Sequence, residues 1–139
     1  MNEYKFSDLH INEEKMFSAQ ITDEMMKQFL SISGDSNPLH QDPEYARECG
    51  FKDRVVYGFL TSAFYSTLIG VHLPGKYALL HGVKKINFLK PVFVGDQLMI
   101  CGKISHINEA YKVVEIKAWI MNQNKEVVSD AIINVGLLA

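Results

Sequence analysis

At 139 residues the chain has room for one domain and little more, and 47% hydrophobic against 22% charged residues is a globular balance, not a disordered one. A formal charge of −2 with no block of lysine or arginine argues against duplex nucleic acid as a partner. Cys49 and Cys101 make neither a CxxC pair nor a disulfide framework, and read as small packed residues in a reducing compartment.

The first eight residues carry mixed charge and no apolar stretch of the signal-peptide kind, so a cytoplasmic protein is expected. Lys15 to Ile21 reads as a short strand. Thr22 then caps a helix whose first turn holds Asp23 and Glu24, the favourable sign at the positive end of the helix dipole. Met25, Met26, Phe29, Leu30 and Ile32 form its apolar face, and Gly34 ends it. Asp42-Pro43-Glu44 starts a second, short helix, with Pro43 at the first helical position and Gly50 past the end.

The run from Val55 to Leu73 contains no Asp, Glu, Lys or Arg, and its length alone would suit a membrane span. Tyr57, Thr61, Ser62, Tyr65, Ser66, Thr67, His72 and two glycines make it too polar for that. The composition predicts a buried core helix over roughly Gly58 to Gly70, stopped by Pro74-Gly75. From Tyr77 onward the hydrophobic period becomes two. Val114, Ile116, Ala118 and Ile120 alternate with Glu115, Lys117 and Trp119, which predicts a strand with Trp119 on its outer face. His81 is expected just before a strand and His106 within one, both as structural residues. Asn108-Glu109-Ala110 and Asn122-Gln123-Asn124 suit hairpin turns, and the last strand spans about Val127 to Leu137. One antiparallel sheet and one apolar helix complete a core only if the sheet curls around the helix, an α+β arrangement. Its open edge strand predicts pairing with a second copy.

The segment Ser33-Gly34-Asp35-Ser36-Asn37-Pro38-Leu39-His40-Gln41-Asp42 sets an acid and an imidazole five residues apart in a break between helices. Gly34 permits an unusual backbone angle and Pro38 forces Asn37 toward an extended shape, so the break is a shaped loop. Such a loop can aim Asp35 and His40 into one pocket as an acid–base pair around a water. The same string also serves as a mere helix stop and turn, with Asp35 bonding nearby amides. Asp35, His40 and Asp42 are a thin set for a metal, Asp42 being spent as a cap, and none is expected.

Three patches together resemble the MaoC-like, (R)-specific enoyl-CoA hydratase family. They are Gly34-Asp35-Ser36-Asn37-Pro38-Leu39-His40, then Gly58-Phe59-Leu60 with Ser66 and Leu68-Ile69-Gly70, then Lys90-Pro91-Val92-Phe93-Val94-Gly95-Asp96. They stand in the family's order and cover the chain from about residue 15 onward. The resemblance implies a single hot-dog domain over residues 1–139, an antiparallel sheet wrapped around a long central helix. It implies reversible hydration of a trans-2-enoyl thioester to an (R)-3-hydroxyacyl thioester, a hydro-lyase reaction, on CoA or an acyl-carrier protein. Asp35 and His40 would be catalytic. The Gly58 amide would hold the thioester oxygen, Ser66 would line the site, and Asn37 would shape the loop. The family commonly has His-Gly where this chain has Tyr57-Gly58, which bears on the substrate more than on the reaction. No cofactor beyond the CoA or phosphopantetheine of the substrate is implied, nor any membrane. A homodimer or dimer of dimers is expected. The rival readings are a hot-dog thioesterase and a non-catalytic acyl-thioester binding module.

Overall fold

The computed structural model describes all 139 residues. Strand β1 (Glu14–Gln20) leads through the Thr22 cap into α1 (Asp23–Ser33), where the Thr22 hydroxyl accepts the Met25 amide at 3.2 Å. Gly34 closes that helix in the left-handed region at φ 72°, a conformation that costs a residue with a Cβ. Two short helices follow, α2 (Pro38–Gln41) and α3 (Pro43–Glu48), the second capped by the Asp42 carboxylate on the Glu44 and Tyr45 amides. The central helix α4 (Gly58–Thr67) continues into a wider turn over Leu68–His72. Strands β2 (Ala78–Phe88), β3 (Gln97–Asn108), β4 (Val113–Met121) and β5 (Val127–Leu137) complete the chain.

The five strands form one antiparallel sheet in the order β1-β3-β4-β5-β2. Residues one apart on a strand face opposite ways, so Val114, Ile116, Ala118 and Ile120 are buried while Glu115, Lys117 and Trp119 face the other side. The β3–β4 and β4–β5 hairpins place Lys112 and Lys125 at positive φ. Between β2 and β3, Asp96 is buried and ties its connection together. Its carboxylate accepts the Phe93 amide at 3.0 Å and the Gln123 side chain at 3.0 Å.

The sheet curls over α4, and the core of 22 buried residues fills the space between them. Leu68, fully buried at the end of α4, presses on β3 at Gly102, where an added Cβ would sit 2.6 Å from its Cδ2. Tyr65 donates to the Ser129 hydroxyl at 2.9 Å, which fixes the rotation of α4 against β5. The helix is not fully enclosed. Phe59 is 70% exposed on its outer side, and next to it the edge strand β2 leaves Leu80 and Val83 exposed. His81 lies inside β2, not before it, with its ring over Gly136. No helix is long and apolar enough to cross a membrane.

Candidate functional site

The break between α1 and α3 is built from its own short polar side chains. The Asp35 carboxylate accepts the Asn37 amide at 3.1 Å, and Asn37 in turn accepts the Leu39 amide at 2.9 Å as the cap of α2. Sequence reasoning gave this stretch as loop throughout. The structure finds a single helical turn over Pro38–Gln41, started by Pro38 at its first position, and that turn carries His40. Asn37 thus spends its acceptor on the loop's shape.

A second segment, residues 53–57, locks the loop from outside. The Val55 amide donates to the Leu39 carbonyl at 3.1 Å, and the Val55 carbonyl lies 2.6 Å from His40 Nδ1. A carbonyl can only accept, so Nδ1 carries a proton, and in the neutral ring Nε2 presents a lone pair. Arg54, one residue before, donates to Asp23 at 2.9 Å and ties this segment to α1. Together with Lys27, Arg54 holds the Asp23 carboxyl below the usual carboxylate range.

His40 Nε2 and Asp35 Oδ2 stand 4.0 Å apart. That is beyond a direct hydrogen bond and within the span of one bridging water that donates a hydrogen to each. The Asp35 side chain is half-exposed and His40 largely covered.

Tyr57 is where the chain departs from the family pattern, and its place is specific. It is 2% exposed. Its hydroxyl donates to the Asp35 carbonyl at 2.8 Å and accepts from Gln41 at 2.5 Å. Its ring lies 4.2 Å from that of His40, centroid to centroid, and 4.7 Å from that of Phe29. Burial first, and then the Asp35 charge, push the Tyr57 phenol above its ordinary range, so it stays a donor. Both faces of the hydroxyl are occupied by protein. Tyr57 therefore braces the Asp35–His40 loop while also bordering the cavity described below. Gln41, the other end of this chain of bonds, has no signal in the sequence that would mark it.

Gly58 opens α4 directly after Tyr57. The helix start has no side-chain cap, and the Gly58 and Phe59 amides have no partner in the chain. Asp35, His40, Tyr57 and Gly58 all border one cavity of about 510 Å³, which the Phe88–Val92 segment also lines. A Cβ at Gly58 would come within 2.9 Å of the Phe88 ring, so glycine here lets that ring pack directly against the helix start.

Ser66 is not brought to this group. It is exposed and borders a second, apolar cavity of about 430 Å³ whose lining shares only Phe59 with the first. At 3.6 residues per turn, the eight residues from Gly58 to Ser66 turn it about 80° round the helix. Asp42, the third acid of the segment, is turned away onto the α3 backbone.

A family model described as MaoC-like domain matches residues 9–124. A mitochondrial 3-hydroxyacyl-[acyl-carrier-protein] dehydratase of Arabidopsis thaliana is 36% identical over 89 residues, 64% of this chain, and the match spans about half (49%) of the plant protein. An (R)-specific enoyl-CoA hydratase of Aeromonas caviae is 34% identical over 95 residues, 68% of this chain and 70% of that one. The solved structure of the Aeromonas caviae (R)-hydratase superposes with a TM-score of 0.88 at 28% identity, over 93% of this chain and 97% of that chain. An unliganded (R)-hydratase of Pseudomonas aeruginosa gives 0.89 at 26% identity, over 96% and 84%. With the model match covering most of its length, and the loop, helix and sheet in the same arrangement, the chain belongs to the MaoC-like domain family of hot-dog hydratases and dehydratases.

Proposed function

We propose that this chain, as a single domain over residues 1–139, catalyses the reversible hydration of a trans-2-enoyl thioester to the (R)-3-hydroxyacyl thioester. The observation that carries the reading is the 4.0 Å separation of Asp35 Oδ2 and His40 Nε2, with the imidazole proton committed to Val55. Two acceptors facing one another at that distance orient one water by both its hydrogens. As the water oxygen bonds C3, one of the pair takes its proton. The C2–C3 π electrons move into the thioester, whose oxygen becomes enolate-like. The proton is then returned to C2 and the carbonyl re-forms, so water is added across the double bond with nothing left over. Positioned acid–base groups of this kind contribute ~10²–10⁴-fold.

The Gly58 amide, unpartnered at the start of a ten-residue helix, is the donor for that oxygen. The reaction calls for no metal or redox cofactor, because the thioester carbonyl already acidifies C2. Relatives named for CoA substrates and for acyl-carrier-protein substrates both resemble this chain, and both offer a thioester. The exposed Phe59, Leu80 and Val83 beside an edge strand favour a homodimer, with a second copy covering that side.

The test is the loss of enoyl-thioester absorbance with crotonyl-CoA and a longer trans-2-enoyl-CoA, for wild type, Asp35→Asn and His40→Gln. Hydration by wild type, reduced at least ~10²-fold in both variants with folding intact, is the expected result. A wild type that instead releases free CoA is a thioesterase, and one that binds acyl-CoA without turnover is a binding module.

A further inference from the structure

Thr61 is 3% exposed on α4, one turn beyond Tyr57, and borders the same cavity as Asp35 and His40. Its Oγ1 has no hydrogen-bond partner. A threonine or serine in a helix usually turns its hydroxyl back onto the carbonyl four residues earlier. Ser62, its neighbour, does this onto Gly58 at 2.9 Å. For Thr61 that carbonyl belongs to Tyr57, which already accepts the Leu60 and Thr61 amides. The other buried hydroxyls on the wall are engaged, that of Tyr57 by Asp35 and Gln41 and that of Ser129 by Tyr65 at 2.9 Å. Val56, Val92 and Val128 are among the apolar residues that line the same cavity.

An orphan hydroxyl inside a protein is costly, and valine would fill the same space without the penalty. Such a group persists where a ligand completes it. Helix side chains lean toward the N-terminus, so Thr61 leans toward the first turn with its two unpartnered amides. A hydrocarbon tail offers that hydroxyl nothing. The oxygen of a thioester does.

We infer that the Thr61 hydroxyl hydrogen-bonds the thioester end of the bound substrate, adding a side-chain donor to the Gly58 amide at the same helix start. The identity of the ligand rests on the hydration reading above.

Thr61→Val and Thr61→Ser, as full chains, separate this role from a structural one. Three quantities are measured for each: crotonyl-CoA hydration, butyryl-CoA affinity by calorimetry, and thermal melting. Thr61→Val is expected to melt at or above wild type, since the orphan is gone, while kcat/KM falls on the order of tenfold to a hundredfold. Thr61→Ser restores the rate. A purely structural threonine would move stability and activity in the same direction. The inference is overturned if Thr61→Val keeps kcat/KM within about twofold, or if Thr61→Ser is as impaired as valine. Should wild type bind butyryl-CoA yet hydrate neither crotonyl-CoA nor a longer trans-2-enoyl-CoA, the hydration reading fails alone. Thr61 is then judged on affinity, with weaker binding by Thr61→Val supporting it and unchanged binding overturning it. A wild type that neither binds nor hydrates removes both.

Discussion

Tyr57→Phe removes one oxygen and leaves the ring in place. The substitution takes away the donor to the Asp35 carbonyl at 2.8 Å and the acceptor for Gln41 at 2.5 Å. The ring contacts with His40 and Phe29 persist. Each hydrogen bond contributes about 1 kcal/mol net, and both lost partners lie near enough to solvent to be rehydrated, so the stability cost is about 1–2 kcal/mol. For a chain of this length that corresponds to a fall of roughly 3–8 °C in melting temperature. The effect on rate is larger in proportion. Asp35 keeps its bond to Asn37, but its backbone loses the tether that sets its distance to His40, and a displacement of ~1 Å in such a pair costs up to ~10²-fold. Steady-state hydration of crotonyl-CoA should show a loss of ~10–100-fold, carried mainly by kcat, with KM little changed. A Tyr57→Phe protein that melts lower yet keeps kcat within about twofold of wild type would refute the reasoning, since the tyrosine would then brace the fold and not the acid–base pair.

Burial pushes the Tyr65 phenol up to about 12, with Asp130 acting in the same direction and the Ser129 hydrogen bond opposing it. Its folded value lies above the unfolded one, so its stability contribution is complete below pH ~10. About 2–3 kcal/mol is then lost as pH climbs to ~12. Urea unfolding of wild type and Tyr65→Phe across that range should show the extra loss only in wild type, and identical curves would count against it. At the exposed edge, Leu80→Glu should convert a dimer to a monomer in light scattering. A wild type that is already monomeric would remove the proposed second copy.

The parts of the fold that depend on local chemistry were legible in the residues. Thr22, Gly34 and Asp42-Pro43 mark helix ends because caps act within a few residues, and the structure places them so. The final strand and the parity of Trp119 follow from a period of two that one buried face imposes. What failed to show was whatever depends on rotation or on distant segments. Ser66 falls on another face because eight residues are not a whole number of turns, and Thr61, five residues earlier, lies about 140° away from it. The helical turn at Pro38–Gln41 is too short to leave a periodic pattern. The use of Tyr57 as a brace depends on a partner 22 positions away in sequence. A hydroxyl left without a partner, as at Thr61, is visible only once every neighbour has been placed.

The acid and the imidazole are consecutive features of one loop, yet neither is held in place by that loop alone. His40 takes its tautomer from the Val55 carbonyl, and Asp35 is tethered through the Tyr57 hydroxyl. The smallest portable unit of the proposed site is therefore two strips of chain, residues 33–42 and 53–58. Grafting the first strip onto another scaffold would transfer the signature without the contacts that set its geometry. A search that scores only that strip will gather chains which carry the letters and lack the brace.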